Sequence, residues 1–291
     1  MTEAEWLACA DPEPMLAFLP GRMGVQDVRL PSGTVVQVPL YPECRASDRT
    51  LRLFSCACCR RLGHLLSDER SRRAVEVTEQ FVDGLATRQQ FLDAAKAAQV
   101  AAERQYEAVW QAATAEIVAS TDPDAANWVH GAHECASSAS AAAHAAMYAP
   151  GVSCCPDEAG EVVGKATFAV AHAVSPLLFA EDCHPDFERR EAAEGAERKA
   201  QAALLRDVVG NPFRPLTLNT AWQAPTVLAL AHAAYDNRIL PDGTLDPARL
   251  AVLADALEEA GCQDADILNH LRQPGSHVRG CWPLDLLLGK E

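Results

Sequence analysis

The stretch Leu51-Arg-Leu-Phe-Ser-Cys-Ala-Cys-Cys-Arg-Arg61 limits the fold more than any other part of this 291-residue chain. At about 100° per residue, Leu51, Phe54, Cys58, Leu62 and Leu65 fall on one helical face. Cys59 lies on the flank of that face and Cys56 further round, while Leu53 and Ala57 add apolar surface on the other side. Only Arg60 and His64 mark a clearly polar strip. A helix with so much apolar surface must be covered from most directions. It reads as a central helix with others packed round it.

The rest of the chain supplies those partners. Alanine is heavily used and aromatic residues are only 6%. Alanine is the best helix former, and small side chains let helices approach closely. The expected fold class is all-α, a multi-helix bundle of about eight to ten helices with one small inserted β-hairpin. Thr2 to Leu19 reads as helical with a break at Asp11-Pro12-Glu13-Pro14. Val28 and Leu30, then Pro31-Ser32-Gly33, then Val35, Val36, Val38 and Leu40 suggest the hairpin, within about 22–44. Ser47 or Asp48 can cap the cysteine helix. A second helix runs from near Asp68 to before Gly84, and Thr87 with Gln90 makes a capping box for a long helix to about Ser120. Further helices are expected over about 122–148 and 157–180, then from His184-Pro185 to Val209. Gly210-Asn211-Pro212 is a firm stop. Beyond it, helices are expected near 224–237, 246–260, 264–272 and 282–288. This divides the chain into an alanine-rich bundle over 1–210, carrying the hairpin, and a C-terminal helical subdomain over 211–291.

Charge narrows the classes of partner. The formal net charge of −15 argues against a nucleic-acid binder. Residues 45–73 nevertheless hold eight arginines against three acids, a net +5 that leaves −20 for the remainder. This segment is expected to pack against acidic parts of the same protein. Arg60, Arg61, Arg72 and Arg73 are the candidates for an anionic-partner face. Met1 to Ala10 carries Glu3 and Glu5 in place of the apolar core of a signal peptide. No run approaches the ~18 apolar residues of a membrane span. The protein reads as cytoplasmic, where its eleven cysteines are thiols or metal ligands, not disulfides.

Cys56 and Cys59 have C-x-x-C spacing, but about two turns inside a helix. They lack the free N–H groups that lower a redox thiol's pKa at a helix N-terminus. Structural zinc takes four ligands, and a second pair could come from Cys154 and Cys155 or from Cys183 and His184. The plain alternative is that buried cysteine serves as a small hydrophobe. His130, His133 and Glu134, and Glu181 with His184, are further spacings that do not complete a known ligand set. There is no G-x-G-x-x-G, Walker A, G-x-S-x-G or kinase motif set. The leading expectation is a non-catalytic interaction or scaffold protein with an unidentified protein partner and no cofactor. The alternative is a zinc-binding or thiol-redox protein built on Cys56 and Cys59.

Four blocks carry a resemblance: Met1-Thr-Glu-Ala-Glu-Trp-Leu-Ala-Cys9; Ser47-Asp-Arg-Thr-Leu-Arg-Leu-Phe54 through Arg61; Gly210-Asn-Pro-Phe-Arg-Pro215; and Leu253-Ala-Asp-Ala-Leu-Glu-Glu-Ala-Gly261 with His277-Val-Arg-Gly-Cys-Trp282. They resemble an uncharacterised family of paralogous helical proteins of planctomycete-type bacteria. The resemblance implies no activity, ligand or site residue. Residues 22–44 depart from the family pattern, which makes the hairpin a candidate insertion.

Overall fold

The computed structural model describes residues 1–19, 24–29, 32–40, 45–119, 162–164, 166 and 187–290. Ten α-helices and one 3-10 turn are named among them, so the fold is all-α in character. The expected helices over 122–148 and most of 157–180 lie outside the described residues. One antiparallel backbone pairing joins Gly24–Arg29 (β1) to Val35–Leu40 (β2), with Gly24 opposite Leu40 and Arg29 opposite Val35. No helix among the described residues is long and apolar enough to cross a membrane.

The helix starts follow local chemistry. The N-terminal segment splits into α1 (Glu3–Ala8) and α2 (Pro12–Phe18). Thr2 and Glu5 form a reciprocal capping box on α1, while Asp11 caps α2 with Pro12 in its first turn. Proline lacks an N–H donor, so it opens a new helix instead of continuing the old one. The cysteine helix α3 (Asp48–Arg61) is capped by Ser47, whose hydroxyl accepts the Thr50 N–H. Asp68 caps α4 (Glu69–Val82). Thr87 and Gln90 exchange hydrogen bonds at the start of α5 (Arg88–Ala119). The charged helix is α6 (Phe187–Val209). After a 3-10 turn at Thr220–Trp222 come α7 (Pro225–Asp236), α8 (Pro247–Glu259), α9 (Ala265–Arg272) and α10 (Trp282–Leu288).

Two apolar clusters organise these helices. The first gathers Trp6, Met15, Leu51, Phe54, Val75 and Leu205, drawn from α1 to α4 and α6. Helix α3 is its axis: Leu51 through Cys59, apart from Arg52, are all buried. The second cluster lies on α7 to α10, around Tyr235, Leu250, Leu253, Ile267 and Leu284. Val278 crosses over, leaving the C-terminal segment to pack in the first cluster.

Buried charge joins the two clusters. Arg49, in the first turn of α3, bonds Asp285 on α10, Asp83 at the end of α4 (3.0 Å) and the Tyr235 hydroxyl on α7 (2.7 Å). Asp83 also meets Arg279 at 3.4 Å and Lys290 at 3.2 Å. Glu79 on α4 receives the Arg60 guanidinium through both oxygens, at 2.6 and 2.7 Å, and Arg238 from beyond α7 at 3.0 Å. Two glycines let the segments close up. Gly210 sits at φ +72°, where an added Cβ would lie 3.0 Å from Trp282 Cγ. Gly280, at φ +92°, would bring its Cβ 2.9 Å from Leu53 Cδ1. Only glycine meets both demands cheaply.

Candidate metal centre

Asp207 lies in the last turn of α6, just before the Gly210 stop. His270 lies in the last turn of α9, and the following Gln273-Pro-Gly-Ser276 turn returns the chain to His277. The His277 carbonyl accepts the Leu245 N–H at 2.8 Å, which fixes this segment against the loop before α8. Cys281 is the residue that precedes α10. Turn and glycine chemistry thus bring three residues of the C-terminal helices to one carboxylate on α6.

The four side chains form one buried network. His270 Nε2 and His277 Nδ1 reach Asp207 Oδ1 at 2.9 and 2.7 Å. The Val278 N–H donates to Asp207 Oδ2 at 2.9 Å. Cys281 Sγ lies 3.3 Å from His270 Nε2 and 3.7 Å from His277 Nδ1. The imidazole rings meet nearly edge-on, with centroids 4.8 Å apart. Asp207 is 4% exposed, His277 2% and Cys281 0%. A cleft of about 440 Å³, lined in part by Asp207, His270, His277, Gln273, Arg214 and Trp282, opens in front of them.

The proton positions follow from the partners. The Trp282 indole N–H, which can only donate, reaches His270 Nδ1 at 3.2 Å. That nitrogen must therefore be the acceptor, and the proton sits on Nε2, directed at Asp207. His277 faces acceptors on both nitrogens, Asp207 Oδ1 and the Gln273 carbonyl at 3.4 Å. Burial works to lower the His277 pKa, but the bond to Asp207 overcomes it and the net shift is upward. Burial works to raise Asp207, and the hydrogen bonds from His270 and His277 hold it below the ordinary carboxylate range. Burial, followed by the Asp207 charge, pushes the Cys281 thiol well above its usual value. Without a metal this sulfur is a thiol, which makes it a poor nucleophile.

The geometry suits a small, borderline-soft cation. Asp207 Oδ1, His270 Nε2, His277 Nδ1 and Cys281 Sγ all lie within 4.8 Å of one another. Tetrahedral zinc bonds of ~2.0–2.3 Å put ligand atoms roughly 3.3–3.7 Å apart. The two sulfur–nitrogen separations already match that range. The carboxylate–imidazole separations are shorter because protons bridge them. An ion replacing those protons and the thiol proton would spread them by about 0.5 Å. His277 Nε2–H would keep the Gln273 carbonyl as the outer partner that orients a ligating imidazole. His270 Nδ1 would gain a proton, so the Trp282 indole would lose its acceptor. The Gln273 side chain, already 3.2 Å from Nδ1, could turn its oxygen to take that proton.

The described residues among those expected from sequence lie elsewhere. Cys56 and Cys59 are buried in the first apolar cluster, and Cys56 Sγ donates to the Val75 carbonyl at 3.8 Å. Burial pushes both thiols up. Among the described residues neither joins a group of three or more potential ligands. Cys154, Cys155, Cys183 and His184 lie outside the described residues, as do His130, His133, Glu134 and Glu181. Arg60 is engaged by Glu79, and Arg61 by Glu197 on α6 at 2.7 Å. Arg72 bonds the Leu66 and Ser67 carbonyls and meets Glu69 at 3.4 Å. Arg73 pairs with Glu76 at 3.0 Å. All four guanidinium groups thus have partners inside the chain. This group of four potential ligands is one the sequence reading overlooks. Its only local signal is His277-x-x-x-Cys281, preceded seven residues earlier by His270.

No protein-family model matches the chain, and neither a curated protein nor a solved structure matches it.

Proposed function

We propose that this protein binds one zinc ion through Asp207, His270, His277 and Cys281, and that the ion is structural. The observation that carries the reading is the convergence of an oxygen, two nitrogens and a sulfur within 4.8 Å, with three of the four residues buried and His270 partly so. An N₂OS donor set suits zinc better than magnesium or calcium, which favour oxygen ligands. Four protein ligands make a closed shell, whereas a catalytic zinc keeps one position for water or substrate. The protein is then a non-catalytic, metal-braced helical scaffold that works by binding another protein in a reducing, cytoplasmic setting. None of the six described cysteines is in a disulfide, which fits such a compartment. The β1–β2 segment is proposed as an insertion into a bundle shared with the resembling bacterial family.

Elemental mass spectrometry on the reductively purified, tag-free chain tests the zinc reading. One zinc per chain is expected, falling well below that in Asp207→Asn and Cys281→Ser. Absence of zinc after incubation with the free ion, in a folded sample, would sink it.

A further inference from the structure

We propose that the metal, if the zinc reading above holds, acts as a staple that docks the C-terminal helices onto α6 without bracing the helical hydrogen bonds of α3 and α4 themselves. The ligands are divided between the two apolar clusters. Asp207 comes from α6, whose Leu204, Leu205 and Val208 belong to the first cluster. His270 and Cys281 come from segments whose Ile267, Leu268, Leu271 and Leu284 belong to the second. Asp207 is the only ligand supplied by α6, and its bonds to His270, His277 and the Val278 N–H cross the boundary.

Much of what else spans the boundary is polar. Arg49 reaches Asp285 and Tyr235, Arg238 reaches Glu79, and Arg60 donates to the Pro241 carbonyl at 3.1 Å. Buried Arg279 Nε and Asp285 Oδ1 have no hydrogen-bond partner there. A polar junction with unmet donors and acceptors separates more readily than an apolar core. The apolar crossings are local: Val278 enters the first cluster, and Gly280 abuts Leu53. Both lie between the ligands His277 and Cys281, so the metal sits where the crossing is anchored.

The staple has a kinetic signature. Moving α9 and α10 away from α6 separates Asp207 from the other three ligands and weakens the hold on the ion. Free metal therefore suppresses that opening by up to the factor 1 + [L]/Kd, at most about 100-fold when zinc is held at 100 times its Kd. Openings that leave the site intact are not suppressed.

Hydrogen exchange read by mass spectrometry on the full-length chain, metal-free and in buffered zinc, measures this directly. Zinc content and a chelator-competition Kd are recorded on the same samples. The expected result is exchange slowed by up to about 100-fold over residues 203–211 and 245–288, including the Val278 amide that bonds Asp207, with α3 and α4 unchanged. Cys281→Ser keeps the size of a buried residue and must lose most of the slowing. Asp207→Asn must lose it as well. Equal slowing across α3, α4 and the C-terminal helices would overturn the staple, because the ion would then brace the whole fold. Zinc bound one-to-one without any slowing would overturn the staple and leave the zinc reading standing. Failure to bind zinc would remove both. Full slowing retained in Cys281→Ser would also overturn it.

Discussion

Asp285 behaves unlike the other buried carboxylates. Asp207, Glu79 and Asp83 each collect several donors and are held below the ordinary range despite burial. Asp285 is raised to about 6, because burial outweighs Arg49 and one of its oxygens has no donor. The folded state therefore binds this proton more tightly than the unfolded chain, whose aspartates titrate near pH ~3.9. Its contribution to stability is present below that value and is lost as pH rises through about 6. Asn cannot ionise, so the stability difference between wild type and Asp285→Asn should move in favour of the wild type on acidifying from about pH 7 to 4. The expected change is on the order of 2–3 kcal/mol, read from urea unfolding at each pH. A difference that does not vary with pH would remove this assignment. The three cysteines of α3 are a second case at this scale. They are neutral thiols in an apolar cluster. Cys56→Ala and Cys59→Ala should lower stability by about 1–2 kcal/mol through lost packing and leave metal stoichiometry unchanged. Loss of bound metal in either variant would return the C-x-x-C pair to the centre of the account.

Helices and turns carry the next set of consequences. Gly210 ends α6 in a left-handed conformation against the Trp282 ring. An alanine there meets both backbone strain of about 1–2 kcal/mol and a tight approach to an indole that also bonds His270. Gly210→Ala should lower the melting temperature and weaken zinc binding together, whereas Gly84→Ala, with a similar φ and nothing near its Cβ, should lower stability alone. Glu79 holds Arg60 and Arg238 in a site only 3% exposed. Glu79→Gln leaves two partly buried guanidinium groups without this counter-charge and should cost about 2–4 kcal/mol in chemical unfolding. These elements are also where the sequence is most readable. Ser47, Asp68, and Thr87 with Gln90 announce helix starts because capping is decided by residues a few positions apart. The apolar surround of α3 announces its central place for the same reason. The metal-ligand group is hidden because it is not local: Asp207 and His270 are 63 residues apart, and Asp207 and His277 are 70 apart. A window of one or two helical turns sees Cys56 and Cys59 and passes over Asp207, which looks like any acid in the last turn of a charged helix. The arginine-rich segment misleads in a similar way. Its charge is conspicuous in the sequence, while Glu79 and Glu197, which use that charge, only come near once the helices pack.

At the scale of the whole molecule, two apolar clusters meet across buried charge and one ligand group. Such a junction gives the chain two thermodynamic handles, packing within each cluster and docking between them. The proposed zinc would act on the second. With the ion at 100 times its Kd, the folded state should gain about 2.7 kcal/mol and melt several degrees higher. That gain should vanish in Asp207→Asn. The most direct test of the central claim is cobalt(II) titration of the full-length chain, followed by absorption spectroscopy. Cobalt takes the zinc position and reports its ligands through its colour. The account predicts saturation at one cobalt per chain, with the intense visible bands of a tetrahedral ion and a thiolate-to-cobalt band in the near ultraviolet. Cys281→Ser should lose the thiolate band. A weak octahedral spectrum, or a thiolate band that survives in Cys281→Ser, would contradict it.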